Sequence, residues 1–107
     1  MYTGPVESYE LSIRTGNSGT FEDYGEARAD IILLGKKGRR LATITFHPPH
    51  TEVPGDAWYG TDEPELHLPT DMLSSVLAFL ESEKPVTLTY GEGSTRNPWG
   101  ILTTTSG

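Results

Sequence analysis

The segment EARADIILLGKKGRRLATITFH, residues 26–47, contains the strongest local signal in this chain of 107 residues. Its centre, Gly35-Lys36-Lys37-Gly38, predicts a short hairpin turn, because glycine adopts a positive φ without steric cost. The flanks alternate in polarity, which predicts strands over residues 26–34 and 40–47. In the second strand Ala42, Ile44 and Phe46 are expected to face the core, and Thr43, Thr45 and His47 to face away from it.

Four further strands and one helix are predicted outside this hairpin. The strands cover residues 8–14, 65–68, 86–90 and 99–105. The first of them is expected to be half-buried, with Tyr9, Leu11 and Ile13 on its buried face. The helix covers residues 70–84, with Thr70 as its N-cap and Pro85 just after its end. Its apolar stripe consists of Met72, Leu73, Val76, Leu77 and Leu80, widened by Phe79.

These elements predict one α+β domain over residues 1–107. We expect a mainly antiparallel sheet in the order β-β-β-β-α-β-β, with the amphipathic helix packed on one face. The other face is then open to a second copy of the chain, so we expect a homodimer.

Composition and charge exclude several classes of protein. The chain has 15 acidic and 8 basic residues, a formal net charge of −7, and no cysteine. It therefore forms no disulfide, no cysteine-ligated metal site and no thiol nucleophile. No apolar run is long enough to cross a bilayer, and the first residues do not have the pattern of a signal peptide. We expect a cytoplasmic protein that does not contact membranes.

Two groups of residues are candidates for partner binding. Half of the basic residues form one cluster, which we call the basic tip: Lys36, Lys37, Arg39 and Arg40. Trp58 and Tyr59 lie in a predicted long loop over residues 48–64, beside Gly and Pro, where large aromatic residues often anchor a partner.

The three histidines are candidate metal ligands. His47, His50 and His67 fall within 21 residues, together with several acidic residues. Imidazoles and carboxylates bind zinc, nickel or copper when thiolates are absent. No helical H-x-x-x-H spacing is present, so the sequence leaves open whether the three side chains converge. No cofactor is predicted.

The sequence offers little support for catalysis. It contains no G-x-S-x-G nucleophile elbow and no glycine-rich phosphate loop ahead of a helix. Most acidic residues lie in polar stretches, where nothing raises the pKa of a carboxyl group toward neutrality. No catalytic residue is predicted.

The predicted function is therefore a small, non-catalytic interaction module that binds itself and a further protein. An alternative comes from the order of elements, since four antiparallel strands followed by a helix is similar to the Whirly-type fold. That resemblance implies binding of single-stranded nucleic acid, here through the basic tip, although the net charge of −7 opposes it. The second alternative is a metal-binding protein that uses the histidines.

Overall fold

The computed structural model describes residues 2–13, 29–48, 53, 55–59, 63–82, 85–92 and 98–104. Within these residues the chain forms eight strands and one α-helix. The strands are β1 (Tyr2–Val6), β2 (Ser8–Ile13), β3 (Ala29–Leu34), β4 (Arg40–His47), β5 (Ala57–Tyr59), β6 (Glu63–Pro69), β7 (Val86–Glu92) and β8 (Pro98–Thr104). The helix, α1 (Leu73–Leu80), lies between β6 and β7, and 3₁₀ turns occupy Lys36–Gly38 and Thr70–Met72.

The coarse prediction of strands with one helix is confirmed, but the predicted order is wrong. Six strands precede the helix rather than four, because β1 and β5 were not expected. β1 contains Gly4 and Pro5, which weaken a strand signal, and it is an outer strand, where proline is tolerated. β5 has three residues and lies within the segment 48–64, which was expected to be a loop.

The strands form two sheets instead of the single six-stranded sheet that was expected. One sheet has three strands in the order β1-β7-β8, and the other has five in the order β2-β3-β4-β6-β5. β1 and β2 are separated only by Glu7, whose amide donates a hydrogen bond to the carbonyl of Leu34 over 2.9 Å. The chain therefore passes from one sheet to the other at this residue.

Among the described strands, five of the six pairings are antiparallel, in agreement with the expected mainly antiparallel arrangement. The exception is the pair of β4 and β6 in the larger sheet, which run parallel. The connection between them, residues 48–62, contains β5, which pairs with the far side of β6. Because this order differs from four antiparallel strands followed by a helix, the resemblance to the Whirly-type topology is lost.

The helix is shorter than predicted, and its start is different. α1 covers residues 73–80 rather than 70–84, and Thr70 makes no side-chain cap. Its hydroxyl donates instead to the carbonyl of His47, which ties the 3₁₀ turn before α1 to the end of β4. The predicted apolar stripe faces the core through Val76, Leu73, Leu77 and Leu80, while Met72 and Phe79 at its borders are exposed.

The core combines residues from both sheets with this helix stripe. Its buried members include Ile31, Ile44 and Phe46 from the larger sheet, Leu88 from the smaller one and Val76 from α1. The two sheets approach closely where β8 meets β6. A Cβ atom at Gly100 would lie 2.6 Å from the Cδ1 atom of Leu66, so only glycine permits this approach without a shift.

One prediction about sheet faces is wrong. Thr45 and His47 were expected to face away from the core and are instead buried, at 5% and 6% exposure. β4 is the middle strand of its sheet, and Thr45 lies between Asp30 on β3 and His67 on β6. This second face of β4 therefore holds polar groups in a buried setting.

Candidate functional site

The basic tip forms the turn between β3 and β4. Lys37 and Gly38 both have positive φ, of 59° and 73°, which confirms the predicted hairpin and the use of glycine in it. Lys36, Lys37, Arg39 and Arg40 are all exposed. The turn therefore presents these cations together at one end of the larger sheet.

Arg40 differs from the other cations of the basic tip, because it is engaged with Glu63 on β6. The Nη2 atom of Arg40 lies 3.0 Å from Oε1 of Glu63, and its Nε atom donates to the same oxygen over 3.1 Å. The hydroxyl of Thr43 also donates to that oxygen over 3.1 Å. One of the four positive charges is thus balanced within the chain, which weakens the tip as a site for phosphate groups.

Trp58 and Tyr59 belong to β5 rather than to a loop. The backbone of Trp58 pairs with Pro64, and that of Tyr59 pairs with Glu63. Their side chains lie outside what the structure describes. The prediction that they bind a partner therefore stays a prediction.

His47 and His67 are brought together by the parallel pairing of β4 and β6. Thr45 is the register partner of His67, which places His47 two residues further along the neighbouring strand. The Nε2 atom of His47 lies 2.9 Å from the Nδ1 atom of His67, and both side chains are buried. One ring must donate the hydrogen and the other must accept it, so the two imidazoles share one proton in this contact.

Burial lowers the pKa of His47 and of His67, because the charged imidazolium is poorly solvated there. The neighbouring His67 lowers the pKa of His47 further. For His67 the carboxylates of Asp56 and Glu65 act in the opposite direction without cancelling the effect of burial. Asp56 also accepts a hydrogen bond from the backbone amide of His67 over 2.8 Å.

The histidine pair provides two of the three predicted metal ligands. His50 lies outside the described residues. Within the part of the chain that the structure describes, no group of three or more histidine and acidic side chains is placed to hold a metal ion. Two nitrogens bound to one zinc ion at 2.0–2.1 Å each would stand about 3.3 Å apart, so the observed 2.9 Å is the spacing of a hydrogen bond.

The outer strand β2 carries a feature that the sequence did not reveal. Leu11 and Ile13 lie on the face expected to be buried, yet they are 38% and 63% exposed. Only Tyr9, at the other end of this row, packs against the core. Its hydroxyl donates to the carboxylate of Glu81 over 2.9 Å, and this bond is the main reason why the pKa of Tyr9 is raised. Alternation identified the shared face, but it could not show how far the other described elements extend over it.

Within the described residues β2 pairs only with β3, so no other described strand lies along its second edge. Edge strands of this kind are common sites of association, because half of their backbone hydrogen-bonding groups point outward. Here two exposed apolar side chains lie beside that edge. We call the segment Ser8–Ile13, with this edge and these side chains, the β2 edge.

No helix in the described part of the chain is long and apolar enough to cross a membrane. No protein-family model, no curated protein and no solved structure matches this chain.

Proposed function

We propose that this chain is an interaction module that acts by association rather than by catalysis, and that it pairs with a second copy through the β2 edge. The observation that carries the proposal is the exposure of Leu11 and Ile13 on an outer strand. Burying both side chains and hydrogen-bonding the outward backbone groups in one contact stabilises the pair.

A two-fold axis restricts how two β2 strands can pair. In an antiparallel pair, residues that stand opposite each other have their side chains on the same face of the sheet. A two-fold axis therefore requires that one residue stands directly opposite the same residue of the partner, and we name each register by that residue. An axis at Leu11 places Leu11 opposite the partner's Leu11 and Tyr9 opposite the partner's Ile13. Each Glu10 then lies opposite a serine, the partner's Ser12. This register gathers the apolar residues of both copies on one face.

The register centred on Glu10 is less favourable. An axis at Glu10 would place the two Glu10 carboxylates directly opposite each other, and like charges in that position destabilise a sheet. It would also move Ile13 opposite the partner's Glu7. Charge and hydrophobic pattern therefore both favour the register centred on Leu11 over the one centred on Glu10.

The proposed contact is small, so the dimer is expected to be weak. It uses six residues of each copy, well below the roughly 20–30 residues per partner of a standard stable interface. We expect a dissociation constant on the order of 10–100 µM. The basic tip and residues 58–59 lie outside this contact and stay candidates for binding a further protein.

Sedimentation velocity from about 5 µM to about 500 µM protein tests this proposal. We expect the average mass to rise from that of one chain toward that of two. Leu11→Lys places two positive charges on the axis and should keep the protein monomeric over the whole range. Ile101→Lys is the matched control, because Ile101 is also an exposed apolar residue of an outer strand. This control should dimerise as the wild type does.

A second control exchanges charge at the basic tip. Replacing Lys36, Lys37 and Arg39 by glutamate should leave the dimer intact, because these residues are not in β2. A monomeric wild type at all concentrations would contradict the proposal. So would a Leu11→Lys variant that still dimerises, or an Ile101→Lys variant that dissociates equally.

A second candidate function, binding of a transition metal, has one observation in its favour, the convergence of His47 and His67. A metal ion would replace the shared proton, and the rings would have to separate by about 0.4 Å to reach the usual zinc–nitrogen geometry. If the site binds Zn²⁺ or Ni²⁺, the ion should raise the melting temperature, and His47→Ala should remove that rise. An unchanged melting temperature in the wild type would argue against this function.

A further inference from the structure

A cavity of about 230 Å³ lies between the two sheets, with α1 as its third wall. Its lining is mostly apolar and includes Ile44, Leu66, Leu88, Leu102, Val76 and Phe79. Met72 and Phe79 line it and are themselves exposed, so the cavity opens to solvent beside α1. An apolar space of this kind is a typical site for a small ligand.

The described part of the cavity wall carries one carboxylate. Among the described residues that line the cavity, Asp56 is the only acidic one, and none is a lysine or an arginine. The Oδ1 atom of Asp56 accepts a hydrogen bond from the backbone amide of His67 over 2.8 Å, and this bond fixes the position of the carboxylate. A carboxylate has about four acceptor positions, so Asp56 can accept further hydrogen bonds from a ligand.

The volume limits the size of the ligand. An apolar cavity of about 150 Å³ in another protein holds benzene, so about 230 Å³ accommodates a six-membered ring and a few further atoms. A longer molecule would extend through the opening beside α1 into solvent. The part of the ligand that lies inside the cavity is therefore compact.

We propose that this cavity binds a compact apolar molecule with a single cationic group, an arylalkyl or alkyl primary amine, whose ammonium group binds Asp56. The hydrocarbon part fills the space between Leu66, Leu88 and Val76. Charge-assisted hydrogen bonds to a carboxylate are stronger than neutral ones, and the chain's net charge of −7 attracts cations. The proposal does not depend on pairing through the β2 edge.

Three probes of similar shape test the charge requirement: benzylamine, benzyl alcohol and benzoate. Each has about eight or nine non-hydrogen atoms, within the size that the cavity allows. Binding is followed at pH 7.5 by ¹H–¹⁵N NMR titration, with the amide signals of Gly100 and Leu102 as local reporters. We expect benzylamine to bind about 10-fold more tightly than benzyl alcohol, and benzoate to bind more weakly than both.

Two kinds of variant test the location. Ser75 lines the cavity and Ser74 does not, although both are exposed residues of α1. Ser75→Phe should therefore abolish binding of benzylamine and benzyl alcohol, and Ser74→Phe should preserve it. Asp56→Asn keeps an acceptor for the His67 amide but removes the charge. This variant should weaken the binding of benzylamine about 10-fold and leave the binding of benzyl alcohol unchanged.

The proposal is overturned if the NMR chemical shifts do not saturate with any probe up to a probe concentration of about 10 mM. A dissociation constant above that concentration corresponds to a binding free energy too small for a specific site. It is also overturned if benzoate binds as tightly as benzylamine, or if Ser75→Phe and Ser74→Phe bind benzylamine equally. The comparison of the three probes on the wild-type chain needs no variant, so it decides the charge requirement even if Asp56→Asn does not fold.

Discussion

The Nε2 atom of His47 lies 2.9 Å from the Nδ1 atom of His67, so two imidazoles from neighbouring parallel strands share one proton in a buried position. Burial favours the neutral form of both rings. When the ring that donates this hydrogen bond gains a proton on its other nitrogen, the two facing nitrogens still form one donor and one acceptor, and the bond is kept. A second proton would place hydrogens on both facing nitrogens and remove the bond, so the two rings are expected to ionise in separate steps.

This pair predicts that the protein loses stability in mild acid. Because the pKa of each ring is lower in the folded chain, the unfolded chain binds more protons as the pH falls below about 6.5. The contribution to stability is full above that pH and is lost as the pH falls toward the lower folded pKa values. Each ring contributes a slope of at most about 1.4 kcal/mol per pH unit.

Urea unfolding between pH 5 and pH 8, at one fixed protein concentration, measures this slope. His67→Gln removes one titrating ring, so its free energy of unfolding should vary less steeply with pH than that of the wild type. A wild-type free energy that is constant from pH 5 to pH 7.5 would contradict this account of the pair. An unchanged slope in His67→Gln would do the same.

A second prediction concerns the turn of the basic tip. Gly38 has a φ of +73° and no atom within 4 Å of the position of a Cβ, so Gly38→Ala introduces backbone strain without a steric clash. We expect a loss of about 1–2 kcal/mol in the free energy of unfolding. Gly55 also has open space around it but no positive φ, which makes Gly55→Ala the matched control.

The control should be neutral or stabilising by up to about 1 kcal/mol, because alanine restricts the unfolded chain. Chemical denaturation of the two variants checks the difference. Equal free energies for Gly38→Ala and Gly55→Ala would mean that the turn does not adopt the described conformation.

A third prediction tests the link between the start of the helical segment and β4. The hydroxyl of Thr70 donates to the carbonyl of His47, so Thr70→Val removes a partly buried hydrogen bond while keeping the shape of the side chain. The expected cost is about 1 kcal/mol. Thr70→Ser keeps the hydroxyl and should lose less stability. If valine is tolerated as well as serine, the hydroxyl contributes nothing at this position.

Several elements could be predicted because local chemistry determines them. The turn at Gly38 follows from the need for a positive φ, and the face of α1 follows from the spacing of Leu73, Val76, Leu77 and Leu80. Alternation in β4 correctly predicted that Ala42, Ile44 and Phe46 are buried, but it wrongly placed Thr45 and His47 on an exposed face. These signals depend on residues close together in the chain.

Other features depend on contacts that periodicity does not encode. An alternating pattern does not show whether neighbouring strands run parallel or antiparallel, and only the parallel register of β4 and β6 brings His47 to His67. The pattern of Leu11 and Ile13 predicted a buried face, but their exposure depends on how far the other elements extend. The structure describes the backbone of Trp58 and Tyr59 but not their side chains, so the proposed role of that pair stays a prediction.

The most direct test of the proposed pairing is a cysteine cross-link at the two-fold axis, since the chain has no cysteine of its own. In the register centred on Leu11, the two Leu11 Cα atoms stand about 4.5–5.5 Å apart, within the range that a disulfide spans. Under mild oxidation Leu11→Cys should therefore form a covalent dimer, measured by intact mass without reductant. Ile13→Cys lies opposite the partner's Tyr9 and should cross-link far more slowly. A Leu11→Cys variant that stays monomeric, or one that cross-links no faster than Ile13→Cys, would contradict pairing through the β2 edge.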